Sequence, residues 1–208
     1  MYTPSNNYQI AGAPAATAKR ALIMLHGRGG TASNILSLAR ELQVSDYALY
    51  APQATNNSWY PYSFMAPDDQ NQPALSLALE TIGGLVNQIT KEGILPEKIY
   101  FMGFSQGACL TLEFMARNAQ RYGGAIAFTG GLVGEQLALA NYTGDFKNTP
   151  MLITTGDPDT HVPLSRVQES VTVLERQHAR VTLKVFPDRP HTITQEEIDM
   201  ANELILNG

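Results

Sequence analysis

One cysteine, Cys109, stands alone among 208 residues, so a disulfide within the chain is excluded. Runs of basic residues are missing too. Lys+Arg 14 against Asp+Glu 19 leaves a formal net charge of −5, and nothing is available to neutralise a phosphate backbone, so a nucleic-acid partner is not expected. No stretch approaches the roughly 18 consecutive apolar residues of a membrane span. The longest, such as Ala21 to Leu25, have strand length. Met1 to Arg20 is rich in Asn, Ala and Thr and lacks a basic segment followed by an apolar one, so it does not read as a secretory signal. With its one free thiol, the chain is expected in the cytoplasm. Metal-ligand spacings are also absent: His26 and His191 are isolated, and Asp157 and Asp159 have no partner histidine of the H-E-x-x-H kind. Neither a metal nor a cofactor is expected.

What is present is ordinary globular composition, 44% hydrophobic and 16% charged with 17 Gly and 12 Pro. A chain of this size buries roughly 70% of its unfolded surface, enough for one core without cross-links. No repeat or linker interrupts it, and a single domain over residues 1–208 is expected. Short β-branched or aromatic runs alternate with segments of helical period, which predicts an α/β protein with a mostly parallel central sheet and helices on both faces. The expected strands are Ala21–Leu25, Tyr47–Ala51, Lys98–Gly103, Ala125–Thr129, Met151–Thr155 and Val181–Phe186, each continuous enough to be buried on both faces. The clearest helix carries Leu75, Ala78, Leu79, Ile82, Leu85, Val86 and Ile89 at three- and four-residue steps and ends at Lys91-Glu92-Gly93. Further helices are expected over Ser33–Leu42, with Thr31 or Ser33 as its cap, and over Gln106–Ala119, Leu164–His178 and Thr194–Leu206. Pro52 to Pro73 has no period, and a segment of that length without secondary structure is unusual unless it has a task. Trp59, Tyr60, Tyr62, Phe64 and Met65 crowd together there, either anchoring the segment on the core or lining a substrate pocket.

The stretch Gly103-Phe104-Ser105-Gln106-Gly107-Ala108 fits G-x-S-x-G between a strand and a helix. In that setting a serine sits on a sharp turn with its hydroxyl lifted above the sheet, and small residues are required two before and two after it. The alternative is a serine that merely caps a helix. A serine hydroxyl is a poor nucleophile without a base, so the reading requires a later histidine and a carboxylate to orient it. His191 lies in a loop after the last strand, on the carboxyl edge of the sheet. His178 ends a helix, where the dipole explains it. His26 precedes the serine, and His161 sits too close in sequence to the acid to bridge it to Ser105. Asp157 and Asp159 both follow Met151–Thr155. Asp157 precedes a proline and reads as a turn former, so Asp159 is preferred. The order Ser105, Asp159, His191 is that of the α/β-hydrolases. A second oxyanion donor is expected after an early strand, where His26-Gly27-Arg28-Gly29-Gly30 bends, and the backbone N–H groups of Arg28 and Gln106 are the candidate pair. That loop has no Lys-Ser/Thr of a phosphate-binding loop and no dinucleotide spacing. Cys109, four residues after Ser105, has the placement of a small buried apolar residue rather than a nucleophile.

On these residues, His26-Gly27-Arg28-Gly29, the elbow at Ser105, Gly156-Asp157-Pro158-Asp159 with Val162-Pro163, and His191, nearly the whole chain resembles the phospholipase/carboxylesterase family of α/β-hydrolases, relatives of the acyl-protein thioesterases. The resemblance implies an α/β-hydrolase fold without a large cap, a serine-histidine-aspartate triad and an oxyanion hole at the positions named. The chain departs from many relatives in having Gly30-Thr31 where they carry an acidic residue after the glycine loop, and its Trp59-to-Met65 segment is its own. The expected activity is hydrolysis of short- to medium-chain carboxylic esters through an acyl-enzyme, with Trp59, Tyr60, Phe64, Met65 and Leu132 about the substrate. Thioester or lysophospholipid cleavage is the enzymatic alternative, and a silent ligand-binding module is the other. The expected partner is a small ester or thioester, and a homodimer is left open.

Overall fold

The computed structural model describes residues 7–207. The first six residues of the N-terminal segment read above lie outside that range. The strands are β1 (Tyr8–Gly12), β2 (Arg20–Leu25), β3 (Tyr47–Pro52), β4 (Ile99–Phe104), β5 (Gly124–Phe128), β6 (Pro150–Asp157) and β7 (Arg180–Pro187). The helices are α1 (Ala32–Ser37), α2 (Ala74–Lys91), α3 (Gln106–Arg117), α4 (Leu164–Arg176) and α5 (Gln195–Ala201). Six of the strands coincide with the expected runs to within a residue or two. β1 is new: its residues are half or fully exposed and it pairs antiparallel with β3 at the sheet edge, so it carries no hydrophobic run to betray it. At the other edge β7 is half-buried rather than covered on both faces, a correction that follows from its having only β6 as a neighbour.

The strand order is β1-β3-β2-β4-β5-β6-β7, parallel throughout except for β1. Strand period divides each central strand between two apolar layers. Ala21, Ile23 and Leu25 of β2 pack with α2, α3 and α4 on one face. Leu22 and Met24 pack with Ala32 and Ile35 of α1 and with Ile198 and Ala201 of α5 on the other. The stripe expected on α2 is buried, Leu79 partly excepted, and the helix stops where Gly93 takes a φ of +101°. Thr31 is the cap of α1, its side chain accepting from the Asn34 N–H at 3.1 Å. That helix and α5 are shorter than expected because each tightens or loosens into a different turn, 3-10 over Leu38–Arg40 and π over Asn202–Leu206. Among the described residues no helix is long and apolar enough to cross a membrane.

The chain leaves β2 toward β3 on one side and returns to β4 on the other. The carboxyl ends of β2 and β4 therefore flank the point where the order reverses, the place where open α/β sheets form a crevice. The first turn of α3 closes on it. A Cβ at Gly107 would lie 2.2 Å from the Leu25 carbonyl oxygen, whereas Gly84, on the exposed side of α2, faces open space. Gly107→Ala should lose about 3 kcal/mol or more of stability by overpacking. Gly84→Ala should gain about 0.5–1 kcal/mol from helix propensity. Urea unfolding midpoints of the two variants check both signs.

Candidate active site

Ser105 joins β4 to α3 with φ 54° and ψ −119°, a left-handed conformation that a non-glycine residue holds only when its surroundings impose it. The sequence supplies that imposition. A Cβ at Gly103 would come 2.3 Å from the Gly107 carbonyl oxygen, so both glycines are needed to make the turn this tight. The Ser105 N–H donates to Phe128 O of β5 at 3.0 Å, and its own carbonyl accepts from the Cys109 N–H at 2.9 Å, tying the turn to sheet and helix together. The side chain is left to point into the crevice, where it meets an imidazole.

His191 Nε2 lies 2.8 Å from Ser105 Oγ, and its Nδ1 lies 2.8 Å from Asp159 Oδ2. A carboxylate only accepts, so Nδ1 bears the hydrogen and Nε2 is free to accept from the serine hydroxyl. Burial alone would raise the Asp159 carboxyl, but the hydrogen bonds it accepts from His191 and from the N–H groups of His161 (2.8 Å) and Val162 (2.9 Å) hold it below the usual carboxylate range. It remains ionised at neutral pH. Phe104 packs against the His191 ring at 5.2 Å between centroids and His161 at 4.9 Å, leaving the histidine side chain 19% exposed.

The loop that carries His191 is held by a buried pair the sequence did not advertise. Arg189 donates to Glu197 Oε2 at 3.1 Å and to Thr129 Oγ1 at 2.7 Å, and also to the Thr192 carbonyl. Glu197 in turn accepts from Thr154 and from the N–H and hydroxyl of Thr194, the cap of α5. The signal was Thr194 followed three residues later by Glu197, the pattern of a capping box.

The glycine loop after β2 abuts the elbow, since a Cβ at Gly27 would be 3.4 Å from Ser105 Cβ. His26 organises it. Its Nδ1 donates to Gly27 O at 2.8 Å and its Nε2 accepts from the Ala54 N–H at 3.1 Å. Burial lowers the pKa of this imidazole, partly offset by the Gly27 bond, so it stays neutral and serves as structure. Among the described residues no hydrogen bond takes up the backbone N–H of Arg28 or of Gln106. Their side chains grip one segment. Arg28 donates to Ser58 Oγ, Pro61 O and Tyr62 O at 3.0, 2.8 and 2.6 Å. Gln106 accepts from the Trp59 N–H at 2.9 Å and donates to Tyr60 O at 2.8 Å.

A cavity of about 460 Å³ opens above Ser105, walled by Tyr60, Pro61, Tyr62, Phe64, Phe104 and His161 among others. Of the residues expected about a substrate, Tyr60 and Phe64 are there. Trp59, Met65 and Leu132 are not. Trp59 is 3% exposed, its ring packed on His26 and its Nε1 donating to His26 O at 2.8 Å, so it anchors the segment beneath the glycine loop. Met65 packs on the core, and Leu132 is buried with its N–H on Ser170 Oγ. Trp59 and Leu132 are apolar and lie inside because their segments cross the core there, and Met65, half-buried, packs its apolar face on the same core. His161, set aside in the sequence as a base, reaches the cavity wall because the loop after Asp159 folds back over His191. Cys109 lies under the elbow, and burial pushes its thiol up to about 12, which keeps it protonated.

A serine on a strand-to-helix elbow, in this strand order and with a later histidine at its hydroxyl, defines a serine hydrolase of the α/β-hydrolase fold. The phospholipase/carboxylesterase family model matches residues 6–206. A crystal structure of a phospholipase/carboxylesterase from Dyadobacter fermentans superposes with a TM-score of 0.98 at 61% identity, covering 99% of each chain. Acyl-protein thioesterase 1 of Kluyveromyces lactis is 27% identical over 94% of both chains, and carboxylesterase SOBER1 of Arabidopsis thaliana is 22% identical over 87% of both. The chain belongs to the phospholipase/carboxylesterase family.

Because Trp59 is an anchor, Trp59→Ala should cost about 3–5 kcal/mol of stability. Activity on esters from C2 to C12 should fall by a similar factor throughout, checked by melting curves beside a chain-length series. A change confined to long esters would return the ring to the pocket.

Proposed function

We propose that the chain hydrolyses short- to medium-chain carboxylic esters by two-step acyl transfer on Ser105. The observation that carries this reading is the hydrogen-bonded line from Asp159 through His191 to Ser105, with both links at 2.8 Å. His191 takes the hydroxyl proton as Ser105 Oγ attacks the carbonyl carbon, and the resulting oxyanion is met by the N–H groups of Arg28 and Gln106. The imidazolium then gives its proton to the leaving alcohol, and the acyl-enzyme forms. A water activated by the same imidazole releases the acid and restores the serine. Asp159 holds the ring in the required tautomer and offsets its positive charge. Every group named belongs to one chain, within one catalytic domain over 1–208, and no cofactor enters a step.

The chain-length preference rests on the cavity, which is open and walled by the segment from Tyr60 to Phe64 without a helical insertion above it among the described residues. A site this open grips a short or medium acyl group and leaves a long one in solvent. Thioesters are attacked by the same groups, and the thioesterase named among the relatives keeps that reaction as the second reading. The unpaired Cys109 suits a reducing compartment, and the cytoplasm is the proposed location.

Ser105→Ala should lose several orders of magnitude in kcat while remaining folded, and should no longer be labelled by a fluorophosphonate. Asp159→Asn should lose about 10⁴-fold in kcat through the wrong tautomer. Asp157, whose side chain is exposed and outside the line, should tolerate the same change. The discriminating assay is a p-nitrophenyl ester series from C2 to C12 beside matched acyl-thioesters, with a maximum among the shorter esters as the expected result. A folded protein that neither labels nor turns over would identify a binding module instead.

A further inference from the structure

His161 touches both members of the pair that serves Ser105. Its backbone N–H donates to Asp159 Oδ1 at 2.8 Å, while His191 occupies Oδ2 of the same carboxylate. Its ring meets the His191 ring in a T-shaped contact, centroids 4.9 Å apart and planes at 74°. It is exposed, it forms part of the cavity wall, and among the described residues no hydrogen bond or ion pair engages its ring. A structural task for this imidazole elsewhere in the fold is therefore not on view.

We propose that His161 is a positioning residue for the Asp159–His191 pair, its backbone N–H fixing the carboxylate and its ring holding the imidazole in line with Ser105. The proposal rests on the triad reading above. When His191 takes the serine proton it becomes a cation, and a polarisable ring packed against it accommodates that charge.

The test compares kcat and KM of His161→Phe, His161→Ala and wild type on one short p-nitrophenyl ester at pH 8, with fluorophosphonate labelling of each. His161→Ala should lose about tenfold in kcat at pH 8 with little change in KM, and the phenylalanine variant should recover most of that loss. Equal kcat losses in both variants, or no loss in either, overturn the role of His161 while Ser105 still labels. Activity that survives Ser105→Ala would instead remove the triad reading, and this proposal with it.

Discussion

Gly107 lies against the carbonyls that end β2, at a distance no side chain could share, and the geometry of the site depends on that approach. It brings the first turn of α3 to the edge of the sheet where the strand order reverses. The serine before it is consequently driven into a left-handed backbone conformation, and the glycine loop after β2 is set beside it. One steric constraint thus presents the Ser105 hydroxyl to the crevice and brings Arg28 and Gln106 to the same cavity. The strain at Ser105, of the order of 1–3 kcal/mol, is held by ladder bonds to β5 and by the helix that follows.

Around this centre, polar side chains hold the loops so that the reacting groups need not. Arg28 and Gln106, whose backbone N–H groups are the proposed oxyanion donors, use their side chains on the oxygens and N–H groups of Ser58 to Tyr62. His26, neutral and buried, fixes the start of the glycine loop on Gly27 and Ala54, with Trp59 packed on it. Arg189 and Glu197 do the same for the loop of His191, as a buried pair whose remaining donors and acceptors are largely engaged by Thr129, Thr154 and Thr194. Such a pair is costly to bury, and the return is a fixed loop rather than added stability. The aromatic segment therefore has two faces: Trp59 inward, beneath the glycine loop, and Tyr62 outward at the cavity rim, 55% exposed.

Above the sheet and its elbow, the cavity is bounded by a wall of its own. Here the wall is a segment of about twenty residues with only short 3-10 turns, braced by Asn71 on Tyr62 and Ser63 and by Phe64 O on the Gly134 N–H. Its order comes from side chains and carbonyls rather than from a helix or strand. That makes the cavity well defined while leaving it open to solvent, in keeping with the small esters proposed as substrates.

The central strands, the long apolar stripe of α2 and the elbow at Ser105 were legible in the sequence because each is a local pattern: a buried strand is a continuous apolar run, a helix repeats at three and four, and a tight turn demands its glycines at fixed offsets. The order of Ser105, Asp159 and His191 along the chain was legible for the same reason, each residue lying in the loop or turn just after a strand. The exposed edge strand β1 was not, since pairing with β3 comes from backbone groups and leaves no hydrophobic trace. Nor was the division of labour within Trp59 to Met65, where five apolar side chains are equivalent in sequence and only the path of the segment over the core decides which face inward. His161 and Arg189 were hidden for the opposite reason. Their partners, His191, Thr129 and Glu197, are distant in the chain or on other elements, and a polar side chain far from its partner carries no periodicity to announce it. Local patterns determined the elements and the serine elbow; the contacts between loops, which depend on where the folded sheet delivers them, decided the pocket and the surroundings of the His191 imidazole.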